Sequence, residues 1–237
     1  MTAALPDPVF NPDARIDVLR AGKTQEAIVV IDDVLLNPDI LIEYAAQARF
    51  ALPPATSRYP GLVAQLPDSY RIPLAEVLRG LMARTFDTHP HFRPANYGFF
   101  GLATVPPQTM TPAQAAPHID SHRLNSFATV HYLSRSPYGG TGFFRHKATD
   151  HEVITPVRSD GYRRLRRQEL EERKDQELGA ILDLYEEIAY VEAVFNRLIF
   201  YKAGLFHSAR LENTAGLSDD PRTGRLTANM FFNTEGL

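Results

Sequence analysis

Residues 125–133 read "NSFATVHYL", a short apolar and β-branched run that follows a turn signal. Such a run is the pattern of a strand. It belongs to a series: "NYGFFGLATV" (96–105), "GTGFFRH" (140–146), "IAYVEAV" (188–194), "RLIFYKA" (197–203) and "RLTANMFFN" (225–233) have the same character and are separated by turns. Several short strands in succession predict a β-sandwich or jelly roll over residues 95–235.

Before that series the chain reads differently. "AIVVIDDVL" (27–35) is a buried strand by composition, and it runs into "NPDILIEYAAQARF", where Asn37 caps a helix and Pro38 takes its first position. Ile40, Leu41, Tyr44, Ala45 and Ala48 then share one helical face. After "RIP", Leu74, Val77, Leu78, Leu81 and Met82 recur at the spacing of a stripe that faces a core. The expected organisation is a single domain, 1–237, with a strand and packing helices in 25–92. Its fold class is α+β with a mainly β core of β-sandwich or jelly-roll type.

A helical insertion at 158–187 interrupts the strands. Seven Lys/Arg and six Asp/Glu fall between Arg158 and Glu177, so its first half reads as a solvated helix, with a lid or partner-binding role as the alternative. Its second half is amphipathic through Leu178, Ile181, Leu182 and Tyr185. "GYRRLRRQ" (161–168) is basic enough to steer an acidic partner, although acidic residues follow it at once.

Composition limits the chemistry. Among 237 residues there is no cysteine, which removes disulfides, thiolate ligands and a cysteine nucleophile, and leaves His, Asp and Glu as strong metal ligands. A net charge of -3 gives no basic excess for nucleic acid. The first 25 residues have no apolar h-region and no later run is long enough for a membrane span, so a cytoplasmic protein is expected.

"PHIDSH" (117–122) concentrates two of the eight histidines beside an aspartate. In a strand His118 and Asp120 project from one face while Ile119 points into the core. His207 follows the apolar run "NRLIFY" and the turn "KAGLF", which would hold it at a strand end. Two imidazoles and one carboxylate suit non-haem Fe(II) with open positions, or Zn(II) with a bound water. His122 reads as a neighbour of the metal or a substrate contact, and His131 as a core or cavity residue. His89 and His91, around Pro90, read as a turn, and His146 and His151 as solvated.

Four motifs in order, "HID" at 118–120, "FATVHYL" with "GGTGFF" at 127–144, "NRLIFYKAGLFHSA" at 196–209 and "RLTANMFFN" at 225–233, resemble the Fe(II)- and 2-oxoglutarate-dependent dioxygenases, particularly their prolyl-hydroxylase-like branch. "VVIDDVLLNPDIL" is similar to the strand and helix that open many of these proteins, and the 158–187 insertion is the main unmatched part. The resemblance implies a double-stranded β-helix of jelly-roll or cupin-like type, with Fe(II) on His118, Asp120 and His207 and 2-oxoglutarate as cosubstrate. It further implies Arg225 on the distal carboxylate of 2-oxoglutarate, aided by Thr227, with Tyr132 helping to hold the cosubstrate. Arg225 lies eighteen residues after His207, farther than is usual in the family, so Arg222 and then Arg210 are alternatives. Asp120 favours hydroxylation over halogenation, since halogenating relatives have a small residue at that position. The implied substrate is a small molecule, an amino acid or a peptidyl side chain, and the oligomeric state stays open, a homodimer included. Two rival readings are a non-catalytic jelly-roll binding module and a cupin-type metalloenzyme that does not use 2-oxoglutarate.

Overall fold

Alternating and apolar runs pair into antiparallel strands, and helices cover the faces that the strands leave apolar. The computed structural model describes residues 4–55, 57–89 and 91–233; Pro90 of the expected "THPHFRP" turn and the last two residues of the expected 95–235 core lie outside them. The chain opens with β1 (Arg15–Ala21), β2 (Glu26–Asp32), α1 (Asp39–Gln47), β3 (Gly61–Gln65) and α2 (Asp68–Phe86). There follow β4 (Ala95–Ala103), the one-turn α3 (Pro112–Ala115), β5 (Phe127–Tyr132) and β6 (Thr141–His146). Last come α4 (Pro156–Glu172), α5 (Leu178–Leu182), β7 (Tyr185–Val191), β8 (Leu198–Lys202), β9 (His207–Ala209) and β10 (Arg225–Asn233).

The strands form a seven-stranded sheet, ordered β1-β2-β8-β5-β10-β4-β3, and a three-stranded sheet, β7-β6-β9. Neighbouring strands are antiparallel in both. Because β2 pairs with β8 and β3 with β4, the N-terminal strands extend the same large sheet as the later ones. The period of two in β8 shows how the layers are held. Leu198 and Phe200 join Leu41, Leu74 and Leu78 in the core between the large sheet and α1 and α2. Ile199 and Tyr201 point the other way, into a second core with Phe143 of β6 and Val191 of β7. On the outer face of the small sheet, Phe144 and Tyr185 pack with Tyr162 of α4 and Phe206. Truncating a fully buried residue such as Leu78 or Phe200 to alanine therefore costs about 2–5 kcal/mol.

Several boundaries differ from the sequence reading. The first helix starts at Asp39 and the Asn37 side chain does not cap it; its Oδ1 accepts the Val9 amide at 2.7 Å instead. The second helix starts at Asp68, six residues before the expected position, and carries Pro73 inside it. Val77 is half exposed, whereas Tyr70 and Phe86 complete the buried stripe of Leu74, Leu78, Leu81 and Met82. The insertion also ends early, because Tyr185 belongs to β7. α4 is more than a solvated rod: Ser159, Tyr162 and Glu169 are buried. His146, expected in solvent, is fully buried and lies 2.9 Å from Glu169 through its Nε2. A polar atom so placed needs that partner.

Candidate metal centre

β9 is only three residues long, and it sets the geometry of the site. The backbones of His118 and His207 exchange two hydrogen bonds of 2.9 Å, so the residues sit directly opposite one another. The Asp120 amide donates to the Ala203 carbonyl at 2.9 Å, fixing the residue two positions on. His118, Asp120 and His207 thereby present ligand atoms that all lie within 4.8 Å of one another, the one such group among the described residues. His207 Nε2 is 3.3 Å from one Asp120 carboxylate oxygen, and His118 Nε2 is 3.8 Å from the other. Nδ1 of His207 lies 2.9 Å from the Leu205 carbonyl, which fixes the ring and leaves Nε2 for a metal.

The electrostatics of the three are linked. Burial, with the charge of His207, pushes His118 down to about 3, so its imidazole is neutral at pH 7. Burial opposes the charge of Asp120, but the two imidazoles outweigh it and hold the carboxyl below its ordinary value. For His207, burial disfavours the proton and Asp120 more than restores it, so the proton is held more tightly than usual. An arriving cation would compete with that proton for Nε2. Two nitrogens and one oxygen without thiolate suit Fe(II) or Zn(II).

The three residues border a cavity of ≈1370 Å³ that reaches β10 of the large sheet and α4 outside the small one. Arg225, Thr227 and Asn229, at alternate positions of β10, line it together. Arg225 is 4% exposed, yet its Nε has no hydrogen-bond partner and one Nη reaches only the Gly140 carbonyl at 3.4 Å. The hydroxyl of Tyr59 is likewise buried without a partner. Burial raises the Tyr59 pKa, while Arg225 and Thr227 pull it back, which places the three groups together. Gly101 makes room for them: a Cβ there would lie 2.4 Å from the Tyr59 hydroxyl and 2.8 Å from Asn229 Nδ2. A buried guanidinium without a counter-charge is costly, and an anion at this end of the cavity would offset that cost.

The other residues singled out in the sequence fall in different places. Tyr132 is buried, its hydroxyl 2.7 Å from the Thr141 hydroxyl; Thr141 borders the cavity and Tyr132 stands behind it. Arg222 is exposed and makes two hydrogen bonds to Glu43, away from the cavity. Arg210 borders the cavity but is paired with Glu187. His122 lies at the rim, 3.4 Å from Arg163. His131 is a core residue between Tyr70 and Asn196. Half-buried His151 pairs its backbone with His146, and His91 donates its amide to His89 within a turn. Tyr59 was missed, because "SRYPG" reads as an exposed loop and nothing local marks a buried hydroxyl.

These features define a class: a mixed α/β protein, mainly of antiparallel sheet, with a His-Asp-His group and a buried arginine in one cavity. The chain belongs to a family of unknown function, DUF6445, whose profile matches residues 12–232. Comparison with curated proteins gives no match. Among solved structures it is similar to a prolyl-4-hydroxylase from Pseudomonas putida, with 13% identity, a TM-score of 0.47 and coverage of 90% of this chain and 95% of that one. It is also similar to HygX from Streptomyces hygroscopicus with nickel and 2-oxoglutarate bound, at 16% identity, a TM-score of 0.48 and coverage of 89% and 84%. A third is an N-substituted L-amino acid dioxygenase from Burkholderia ambifaria, at 12% identity, a TM-score of 0.43 and coverage of 94% and 96%. Among the described residues no helix is long and apolar enough to cross a membrane.

Proposed function

We propose that the protein is a cytoplasmic Fe(II)- and 2-oxoglutarate-dependent oxygenase that hydroxylates a C–H bond of a small molecule or a peptidyl side chain. The carrying observation is that one cavity holds both the His118, Asp120 and His207 group and a buried, unpaired Arg225. A metal that only activates water has no use for that second feature, whereas a dicarboxylate cosubstrate needs both. In this reading the fold is a double-stranded β-helix, since from β5 onward the chain alternates between the two sheets, apart from the β6 to β7 step within the small one.

Bound Fe(II) with 2-oxoglutarate supplies oxidation by molecular oxygen. The protein's own residues bind and orient. His118, Asp120 and His207 hold the metal from one side. Arg225 takes the distal carboxylate through its free donors, and the Tyr59 and Thr227 hydroxyls add hydrogen bonds to it. Tyr132 fixes Thr141 in the wall. Equilibrium dialysis tests this: with Mn(II) as an inert metal, 2-oxoglutarate binds the intact chain and fails to bind His207→Ala. Binding that is equal with and without metal would overturn the reading.

A further inference from the structure

We infer that the substrate carries an oxyanion, a carboxylate or a phosphate, and that Arg166 of α4 together with Arg58 receives it. The inference rests on the oxygenase reading above and adds the substrate's charge. Arg163, Arg166, Arg167 and Leu170 recur at helical spacing, and they and Lys174, in the turn after α4, border the cavity. The basic stretch "GYRRLRRQ" thus turns a face inward, while Arg164, on the outer side, is exposed and does not border the cavity.

Two observations separate this face from an ordinary solvated helix. First, Arg166 Nε and Nη2 are shut off from solvent and have no acceptor. Second, among the described residues none of Arg58, Arg163, Arg166 and Arg167 lies within ion-pair distance of a carboxylate. The acidic residues beside the cavity are engaged: Glu171 pairs with Lys174 at 2.5 Å, and Asp120 lies with the two metal-site histidines. Arg58, exposed and next to Tyr59 in the chain, lines the same cavity as Arg166, and each guanidinium disfavours the charge of the other. An oxyanion accepting from both would relieve that repulsion, as paired arginines do for carboxylates and phosphates. This pocket is distinct from the Arg225 pocket: Arg166 belongs to α4 over the small sheet and Arg225 to β10 of the large one. Arg166 and His118 line the same cavity, which puts a bound oxyanion in the cavity that holds the metal group.

The test uses inorganic phosphate as the probe, the full chain loaded with Mn(II), and saturating 2-oxoglutarate to fill the Arg225 pocket. The ³¹P line of phosphate should broaden saturably. Arg166→Gln should weaken this binding roughly tenfold or more, as should Arg58→Gln, while Arg164→Gln, the same charge change on the outer face, leaves it unchanged. Equal loss in Arg164→Gln and Arg166→Gln would overturn the inference in favour of diffuse charge. Displacement of phosphate by 2-oxoglutarate would overturn it in favour of the Arg225 pocket alone, and so would no broadening although Mn(II) is bound. Mn(II) binding is read separately from water-proton relaxation; its absence would overturn the oxygenase reading and, with it, the placement of the oxyanion in a cavity that holds a metal.

Discussion

Arg225 and Arg222 are three positions apart and do opposite things. Arg225 opens β10 facing the cavity with a free Nε, whereas Arg222 sits in the preceding turn and is spent on Glu43. Arg225→Gln should therefore weaken 2-oxoglutarate binding about a hundredfold, the scale of a lost charged hydrogen-bond pair, while Arg222→Gln leaves it unchanged. Equilibrium dialysis of both variants checks this. His131 gives a second prediction, in stability. Burial pushes it down to about 4 from its ordinary 6.5, so the folded protein refuses a proton that the unfolded chain accepts. Between those values the unfolded state binds more protons, so stability falls as pH drops from 6.5 toward 4, by roughly 2–4 kcal/mol at full effect. Urea midpoints of the metal-free protein at pH 7 and pH 4.5 should differ less in His131→Gln than in the parent. An equal difference would contradict the assignment.

At the scale of elements, α4 is the piece to test. His146 of β6 and Glu169 of α4 meet at 2.9 Å, both nearly excluded from solvent, and with Tyr162 against Phe206 they tie the helix to the small sheet. Glu169→Ala leaves a buried imidazole nitrogen unpaired, so it should cost about 1–3 kcal/mol and raise hydrogen exchange across Pro156–Glu172 more than in β10. Uniform faster exchange would mean that α4 is not held by this contact. The same elements show what could be read from sequence. β10 was legible to the residue, because "RLTANMFFN" alternates and is bounded by Gly224. β1 and β3 were not: β1 lies at a sheet edge with Ile16, Val18 and Leu19 half exposed, so its apolar residues follow no inward face. The partner of His146 was hidden as well, since twenty-three residues and a helix separate it from Glu169.

For the whole molecule, the central point is that two antiparallel sheets and a charged helix enclose one cavity with a His-Asp-His group and arginine nitrogens that are shut off from solvent without an acceptor. The metal group was legible from its residue types, two imidazoles and a carboxylate, although the strand expected at "HID" is only a single bridge between His118 and His207. The anion pockets were only half legible: Arg225 stood in a strand pattern, but the Tyr59 hydroxyl and Arg166 reach the cavity by packing between segments far apart in sequence. The measurement that tests the account most directly is an anaerobic spectral titration of the metal-free protein with Fe(II) and then 2-oxoglutarate. The account predicts a weak visible charge-transfer band that appears only when both are present and is lost in His207→Ala. No band in the intact protein, or a band that persists without His207, would contradict it.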